Sequence, residues 1–374
     1  MLEEVERWLN ARSWSAGDRP LQRLLAAKHA TGQSVSVVLP ALDEEATVGG
    51  IVAVIRRELM ERAPLVDEIV VVDSGSSDRT SQVAAAAGAR VVHRDAILPR
   101  IPAVPGKGEV LWRSLLVTGG DIVCFVDADL RAFSPDFVSG IVGPLLTDPD
   151  VHLVKAMYDR PLTVSDGPAA GRTAPGEGGR VTELVARPLL NLHWPRLAGF
   201  VQPLGGEYAA RRSLLERLPF PVGYGVELGM LIDSLHLVGL DALAQVDVGV
   251  RVHRHQDGRA LGRMAAAIYR TAQLRLARGH LVRPTLTQFE RGADGFEPRT
   301  YAVDTEERPR WRRSRSTRPG GWPEARRPSP ARQPGTPSDQ RQTPPESCRQ
   351  VRYSPPRPWV LRPRCFLAQN CPSA

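Results

Sequence analysis

The 374 residues are 42% hydrophobic and carry a formal charge of +8, enough apolar material for an enzyme-sized globular body. The charge is unevenly placed: Arg308–Ala374 holds 15 Arg, no Lys and three acids (Glu324, Asp339, Glu346), a local +12, so the preceding 307 residues stand at −4. The body therefore gives no electrostatic reason to expect a nucleic-acid partner. No apolar run reaches the roughly 18 residues that span a bilayer, and Met1-Leu2-Glu3-Glu4 lacks the basic and apolar regions of a secretory signal, so no membrane insertion is expected. Only Cys124 lies outside the tail, within an apolar strand; disulfides play no part, and a reducing cytoplasm is the expected location.

In chain order, residues 1–33 read as short helices whose Trp8, Leu9, Leu21, Leu24 and Leu25 form a docking face. Val35–Leu39, Ile69–Val72, Ala89–Val92 and Ile122–Val126 are short β-rich runs separated by helical stretches at about 46–62, 78–87 and 107–118. Continuous hydrophobicity in strand-helix-strand order predicts a parallel sheet buried on both faces, an α/β nucleotide-binding half over 34–132. In such sheets ligands sit beyond the carboxyl ends of the strands, where Pro40–Glu45, Asp73–Asp78 and Asp127–Asp129 fall. A second half, 133–290, opens with a strand near Val151–Met157 and a Gly/Pro-rich loop at 161–179. Helices follow at about 181–192, 211–217 and 225–238. Val246–His253 alternates strictly, with its valines on one face and Asp247, Arg251 and His253 on the other, and a last helix runs from about 258 to 278. From about 300, the Arg/Pro-rich composition predicts a disordered extension, either a native flexible tail or the out-of-frame translation of GC-rich DNA.

Several clusters carry chemistry. Asp127-Ala128-Asp129 ends an apolar strand with both carboxylates on one face, a pattern suited to Mg²⁺ or Mn²⁺ shared with substrate phosphates; the bland alternative is a helix-capping Asp. His253 is the candidate third protein ligand, although spacing alone does not select it over His255. Asp73–Asp78 reads as a nucleoside-binding loop or as a turn with Ser77 or Asp78 as helix cap. Pro105-Gly106-Lys107-Gly108 offers a backbone that can approach phosphates beside a cation, but is not a Walker A loop. Gly178-Gly179-Arg180-Val181-Thr182-Glu183 brings N–H groups, a guanidinium and a hydroxyl to a helix start, either an anion site or an ordinary cap. Glu227, in the first turn of its helix, either meets the helix dipole or orients an acceptor hydroxyl.

The ordered motifs VSVVLPALDEE, DSGSSD, PGKGEVLWRS, DAD, GGRVTELVARPLL, QPLGGEYAARR and PFPVGYGVELGMLID make Val35–His280 resemble the glucosyl-3-phosphoglycerate synthases of actinobacteria. The resemblance implies a GT-A glycosyltransferase fold and a retaining, metal-dependent, homodimeric enzyme. It would transfer glucose from UDP-glucose to 3-phospho-D-glycerate, at the first step toward methylglucose lipopolysaccharide. It implies uridine and diphosphate contacts from Pro40, Leu42, Glu44, Ser74 and Lys107 with Asp127 and Ala128 alongside, and metal ligation by Asp129 and His253. Leu204, Tyr224 and Glu227 would meet the glucose, Arg251 the diphosphate, and Gly179, Arg180 and Thr182 the phosphoglycerate. His255 stands at a further acceptor position where the family commonly has Asn; Asp43 and Ala128 likewise replace a common Asn and Ser. Rival readings are mannosyl transfer from GDP-mannose or transfer to a polyprenyl phosphate on the same fold. From another class comes a non-catalytic nucleotide- or nucleic-acid-binding protein acting through the basic tail.

Overall fold

Valines and isoleucines concentrated in short runs build the centre of the molecule, an eight-stranded sheet. In chain order its strands are β1 (Ser13–Ser15), β2 (Val35–Ala41), β3 (Glu68–Asp73), β4 (Arg90–His93), β5 (Ile122–Phe125), β6 (Leu153–Asp159), β7 (Tyr208–Arg211) and β8 (Leu243–Val250). Their spatial order is β1-β8-β6-β7-β5-β2-β3-β4. The computed structural model describes residues 2–160, 162–163, 173–174, 179–251, 258–276, 285–292, 295–302 and 307–309. His253, His255, most of the 161–179 loop and the Arg/Pro-rich extension beyond Pro309 lie outside the described residues.

Every pairing in the sheet is parallel except the two made by β7, which runs antiparallel between β5 and β6. Alternate residues supply two apolar cores, one on each face: Val37, Leu39 and Val71 join one, Val38, Val70 and Val72 the other. That two-sided burial is why these strands read as unbroken apolar runs. Helices α1 (Glu3–Arg12), α2 (Leu21–Thr31), α3 (Val48–Arg56), α4 (Thr80–Ala86), α5 (Lys107–Ser114), α6 (Asp136–Thr147), α7 (Arg187–His193), α8 (Val226–Val238) and α9 (Gly258–Leu276) are the main helical elements among the described residues.

The structure departs from the sequence reading in two places. The N-terminal segment is not only helical: its β1 pairs with β8 and extends the sheet, while Trp8 donates its indole N–H to the Leu243 carbonyl at 2.7 Å and stacks at 4.7 Å on Phe200. The strict alternation predicted for 246–253 breaks at a bulge. Asp247 pairs with Met157 but Val250 with Asp159, so one extra residue enters at Gly249, whose φ is +94°. Past the bulge the two faces exchange: Val250 is exposed and Arg251 is buried, the reverse of the predicted pattern. Among the described residues, further strands follow α9. A hairpin joins Thr285–Gly292 to Gly295–Ala302, and Glu307–Arg308 pairs antiparallel with Phe220–Pro221. There Arg308 grips the buried Glu109 carboxylate at 2.6 and 2.8 Å, and Trp112 donates to the Pro309 carbonyl at 3.2 Å. Arg308 thus packs on Glu109 and Trp112 of the body.

Candidate active site

The carboxyl ends of β2, β3 and β5 open onto one cavity of about 750 Å³. Two loops at its rim brace one another. Asp43, in the left-handed region at φ 56°, accepts the Ser77 N–H at 2.7 Å and donates its own N–H to Ser76 Oγ at 3.0 Å; Glu44 N–H reaches Thr80 Oγ1 at 2.8 Å. Asn would offer the same acceptor and tolerate the same backbone, so Asp at this position keeps the brace. Asp73 is the hub of the second loop, accepting from Gly75 N–H, Ser76 N–H, Ser76 Oγ and Ser81 Oγ. Asp78 accepts the Thr80 N–H at 2.9 Å just ahead of α4, but the N-cap position is Arg79, so neither Ser77 nor Asp78 occupies it.

The glycines of Pro105-Gly106-Lys107-Gly108 serve a protein contact rather than a Walker-type cradle. A Cβ at Gly106 or Gly108 would run into the carbonyls of Val222 and Pro221, and Gly106 sits at φ +138°. This close approach brings α5, which begins at Lys107, against the chain leading to Glu227. Lys107 Nζ pairs with Glu227 Oε1 at 3.0 Å and with Asp127 Oδ1. Gly206 closes the same corner, because a Cβ there would strike both Asp127 and Lys107.

Asp127 receives Lys107 on one oxygen and Arg251 Nη2 on the other at 2.8 Å; the same Nη2 lies 3.2 Å from Asp129 Oδ1. Burial alone would raise both carboxyls. At Asp127 the charges of Lys107 and Arg251 outweigh it and hold the group well below the usual carboxylate range. At Asp129 burial, reinforced by the Asp127 charge, prevails and the pKa is raised. Arg251 is 3% exposed and its Nε donates to Glu207 Oε1 at 2.9 Å, while Tyr158 donates to Glu207 Oε2 at 2.8 Å. Glu207 is fully buried. Ala128 contributes its backbone: its carbonyl accepts from Thr47 Oγ1 at 2.6 Å.

On another wall, Gly179 at φ +89° accepts the Glu183 N–H at 3.1 Å, starting the helical turn that carries Arg180 and the buried Thr182. The cavity lining includes Pro40, Leu42, Glu44, Ser74, Lys107, Asp127, Ala128, Asp129, Gly179, Arg180, Thr182, Leu204, Tyr224, Glu227 and Arg251. Every site residue named from the sequence that falls among the described residues is therefore brought to one cavity; His253 and His255 fall outside them. Leu42 and Tyr224 stand half-exposed at the rim.

Sequence reasoning gave no role to Arg160, Glu207, Tyr158 or Lys155, nor to the Leu261, Arg263, Met264, Ala267 and Ile268 face of α9 that lines the cavity. Glu207 had a usable signal, an acid between a Gly pair and an apolar strand, where only a paired carboxylate survives burial. Lys155 had a similar one, a lone cation within an apolar strand.

Residues 36–169 match the glycosyl transferase family 2. Over 303 residues the chain is 50% identical to the glucosyl-3-phosphoglycerate synthase of Mycolicibacterium smegmatis, covering 81% of this chain and 96% of that one. Among solved structures, it is 46% identical, at a TM-score of 0.69, to glucosyl-3-phosphoglycerate synthase from Mycobacterium tuberculosis in complex with Mn²⁺, UDP and phosphoglyceric acid, covering 78% of this chain and 94% of that one. Mannosyl-3-phosphoglycerate synthase from Rubrobacter xylanophilus is 42% identical at a TM-score of 0.74, with 82% and 96% covered.

Proposed function

The chain belongs to the glucosyl-3-phosphoglycerate synthase family, and on that premise we propose that it transfers glucose from UDP-glucose to 3-phospho-D-glycerate with Mg²⁺ or Mn²⁺ as cofactor. The observation that carries this reading is the joint placement, in one cavity, of the Asp127/Asp129 carboxylates with Arg251 and of the Gly179–Thr182 helix start with Arg180. A nucleotide diphosphate and a metal suit the first group; an anionic acceptor suits the second.

The donor chemistry at Asp129 fits a hard divalent ion. Both Asp127 oxygens are engaged by cations, whereas Asp129 meets Arg251 through Oδ1 alone. Asp129 would hold the ion, with His253 as the further protein ligand of the family pattern. Once bound, Mg²⁺ or Mn²⁺ supplies positive charge at the diphosphate oxygens and eases their departure.

The protein's own groups do the rest. Arg251, fixed by Glu207, presents a guanidinium to the leaving diphosphate. Lys107 keeps Glu227 in place, and Glu227 orients the glucose hydroxyls. Gly179, Arg180 and Thr182 hold the acceptor so that its C2 hydroxyl faces the anomeric carbon. In the retaining course we propose, the hydroxyl oxygen bonds to C1, the C1–diphosphate bond breaks, and the hydroxyl proton passes to the departing diphosphate. A homodimeric assembly, a cytoplasmic location and a place at the first step toward methylglucose lipopolysaccharide belong to the same proposal and rest on family membership; light scattering tests the first.

The direct test is UDP release from UDP-glucose with Mg²⁺, with and without 3-phosphoglycerate. Release that requires the acceptor is expected; none from a folded chain would sink the reading. The likeness to the Rubrobacter enzyme favours a second donor reading, mannosyl transfer, which acceptor-dependent GDP release from GDP-mannose would support.

A further inference from the structure

3-Phosphoglycerate carries two anionic groups, a phosphate and a carboxylate, on either side of the carbon with the reacting hydroxyl. The Gly179–Thr182 helix start with Arg180 suits the phosphate, since converging N–H groups and a hydroxyl match its oxygens. A second cation is needed for the carboxylate. Lys107 and Arg251 are committed to Asp127, Asp129, Glu207 and Glu227.

Arg160 lies just past β6 and lines the same cavity. Its guanidinium is 5.4 Å from the Tyr158 ring centroid, and its Nη2 donates to Tyr158 Oη at 3.1 Å. Tyr158 in turn donates to Glu207 Oε2, while Glu207 Oε1 holds Arg251. One buried carboxylate thus positions two arginines, Arg251 directly and Arg160 through a tyrosine. The second points to the acceptor wall: a Cβ on Gly179 would lie 3.7 Å from both Arg160 Cδ and Nη1. Arg160 Nε is buried and has no partner among the described residues, so the group carries donor capacity that the described protein does not use.

We infer that Arg160 is an acceptor-binding residue whose Nη1 edge takes the carboxylate of 3-phosphoglycerate while Gly179, Arg180 and Thr182 take the phosphate. The inference rests on the proposed reaction and adds to it a reason for selectivity. A planar guanidinium held edge-on recognises a carboxylate and leaves an acceptor lacking one, such as glycerol 3-phosphate, without its second anchor.

Calorimetric titration of the full chain, loaded with UDP and Mg²⁺, tests it without requiring turnover. Wild type, Arg160→Met and Arg160→Lys are titrated with 3-phosphoglycerate and with glycerol 3-phosphate. The expected result for Arg160→Met is a Kd for 3-phosphoglycerate weakened about 10- to 100-fold, the usual worth of a charged hydrogen-bonded contact. Its Kd for glycerol 3-phosphate should change less than about twofold, with UDP affinity kept, and Arg160→Lys should fall between. Equal losses for both acceptors, or an unchanged Kd for 3-phosphoglycerate, would overturn the assignment. If Arg160→Met does not fold, Arg160→Lys decides by the same comparison of the two acceptors. A wild-type chain that binds 3-phosphoglycerate but releases no UDP would remove the reaction and leave the binding role standing; no binding at all would overturn both.

Discussion

Glu207 holds Arg251 at 2.9 Å with one carboxylate oxygen and Tyr158 at 2.8 Å with the other, and neither Glu207 nor Arg251 is more than 3% exposed. Glu207 lies behind the cavity that Arg251 lines, so it shapes the site through that arginine. Neutralising Glu207 leaves a buried guanidinium short of its one fully buried counter-charge, the costly way to break a buried pair. Glu207→Gln should lose about 3 kcal/mol in urea denaturation, and Tyr158→Phe, which removes one hydrogen bond to the carboxylate, about 1.5 kcal/mol. Equal stability of the two variants would contradict the assignment of Glu207 as the shared anchor.

Metal dependence should reside in Asp129. UDP affinity of the wild-type chain should rise at least tenfold when Mg²⁺ is added, and EDTA should reverse it. Asp129→Ala should keep the fold, judged by circular dichroism, yet show no Mg²⁺-linked gain in UDP binding and no turnover. A variant that retained the gain would move the metal to other residues.

Lys155 supplies a pH signature. It is 2% exposed, donates to the Gly205 carbonyl and lies 4.8 Å from the Tyr208 ring centroid; burial, partly opposed by the charge of Glu227, pushes its amine down to about 8. Between pH 8 and the ordinary lysine value near 10.5, the unfolded chain binds more protons at this residue than the folded chain, so its contribution to stability grows as pH rises. The stability difference between wild type and Lys155→Met should therefore shift in favour of wild type from pH 8 to pH 10. A difference independent of pH would place the amine at its ordinary value.

The C-terminal boundary can be tested by truncation. Glu109 is fully buried between Arg113 at 2.7 Å and Arg308 at 2.6 Å, and the two arginines together outweigh burial and keep its carboxyl below the usual range. A chain ending after residue 306 loses Arg308 and should melt several degrees lower, corresponding to about 2 kcal/mol. Ending after residue 309 should cost much less, and Arg308→Ala in the full chain should reproduce the larger loss.

Much of this organisation was legible in the residues. Strands buried on both faces announce themselves as Val/Ile runs, and the polar clusters after β2, β3 and β5 had to converge because parallel strands end on one side of a sheet. What escaped depended on contacts between distant segments. The four-residue β7 is too short to show a period and runs straight into a helical Arg212–Leu215 turn. The facing of Arg251 inverted because a single glycine takes a bulge that pattern counting cannot see. Glu207 and Arg160 acquire their meaning only through Tyr158, which periodicity presents as one more buried aromatic.

The antiparallel strand at the middle of the sheet bears on how the protein comes into being. As synthesis proceeds from the N-terminus, β5 and β6 each expose an unsatisfied edge until residues 208–211 emerge and slot between them. The closure spans more than 80 residues from β5, and contacts of such long range are the slow ones to form. Glu207, immediately before that strand, arrives with it. Joining β5 to β6 and delivering the carboxylate that positions Arg160 are thus a single event, and Arg251 follows only with β8.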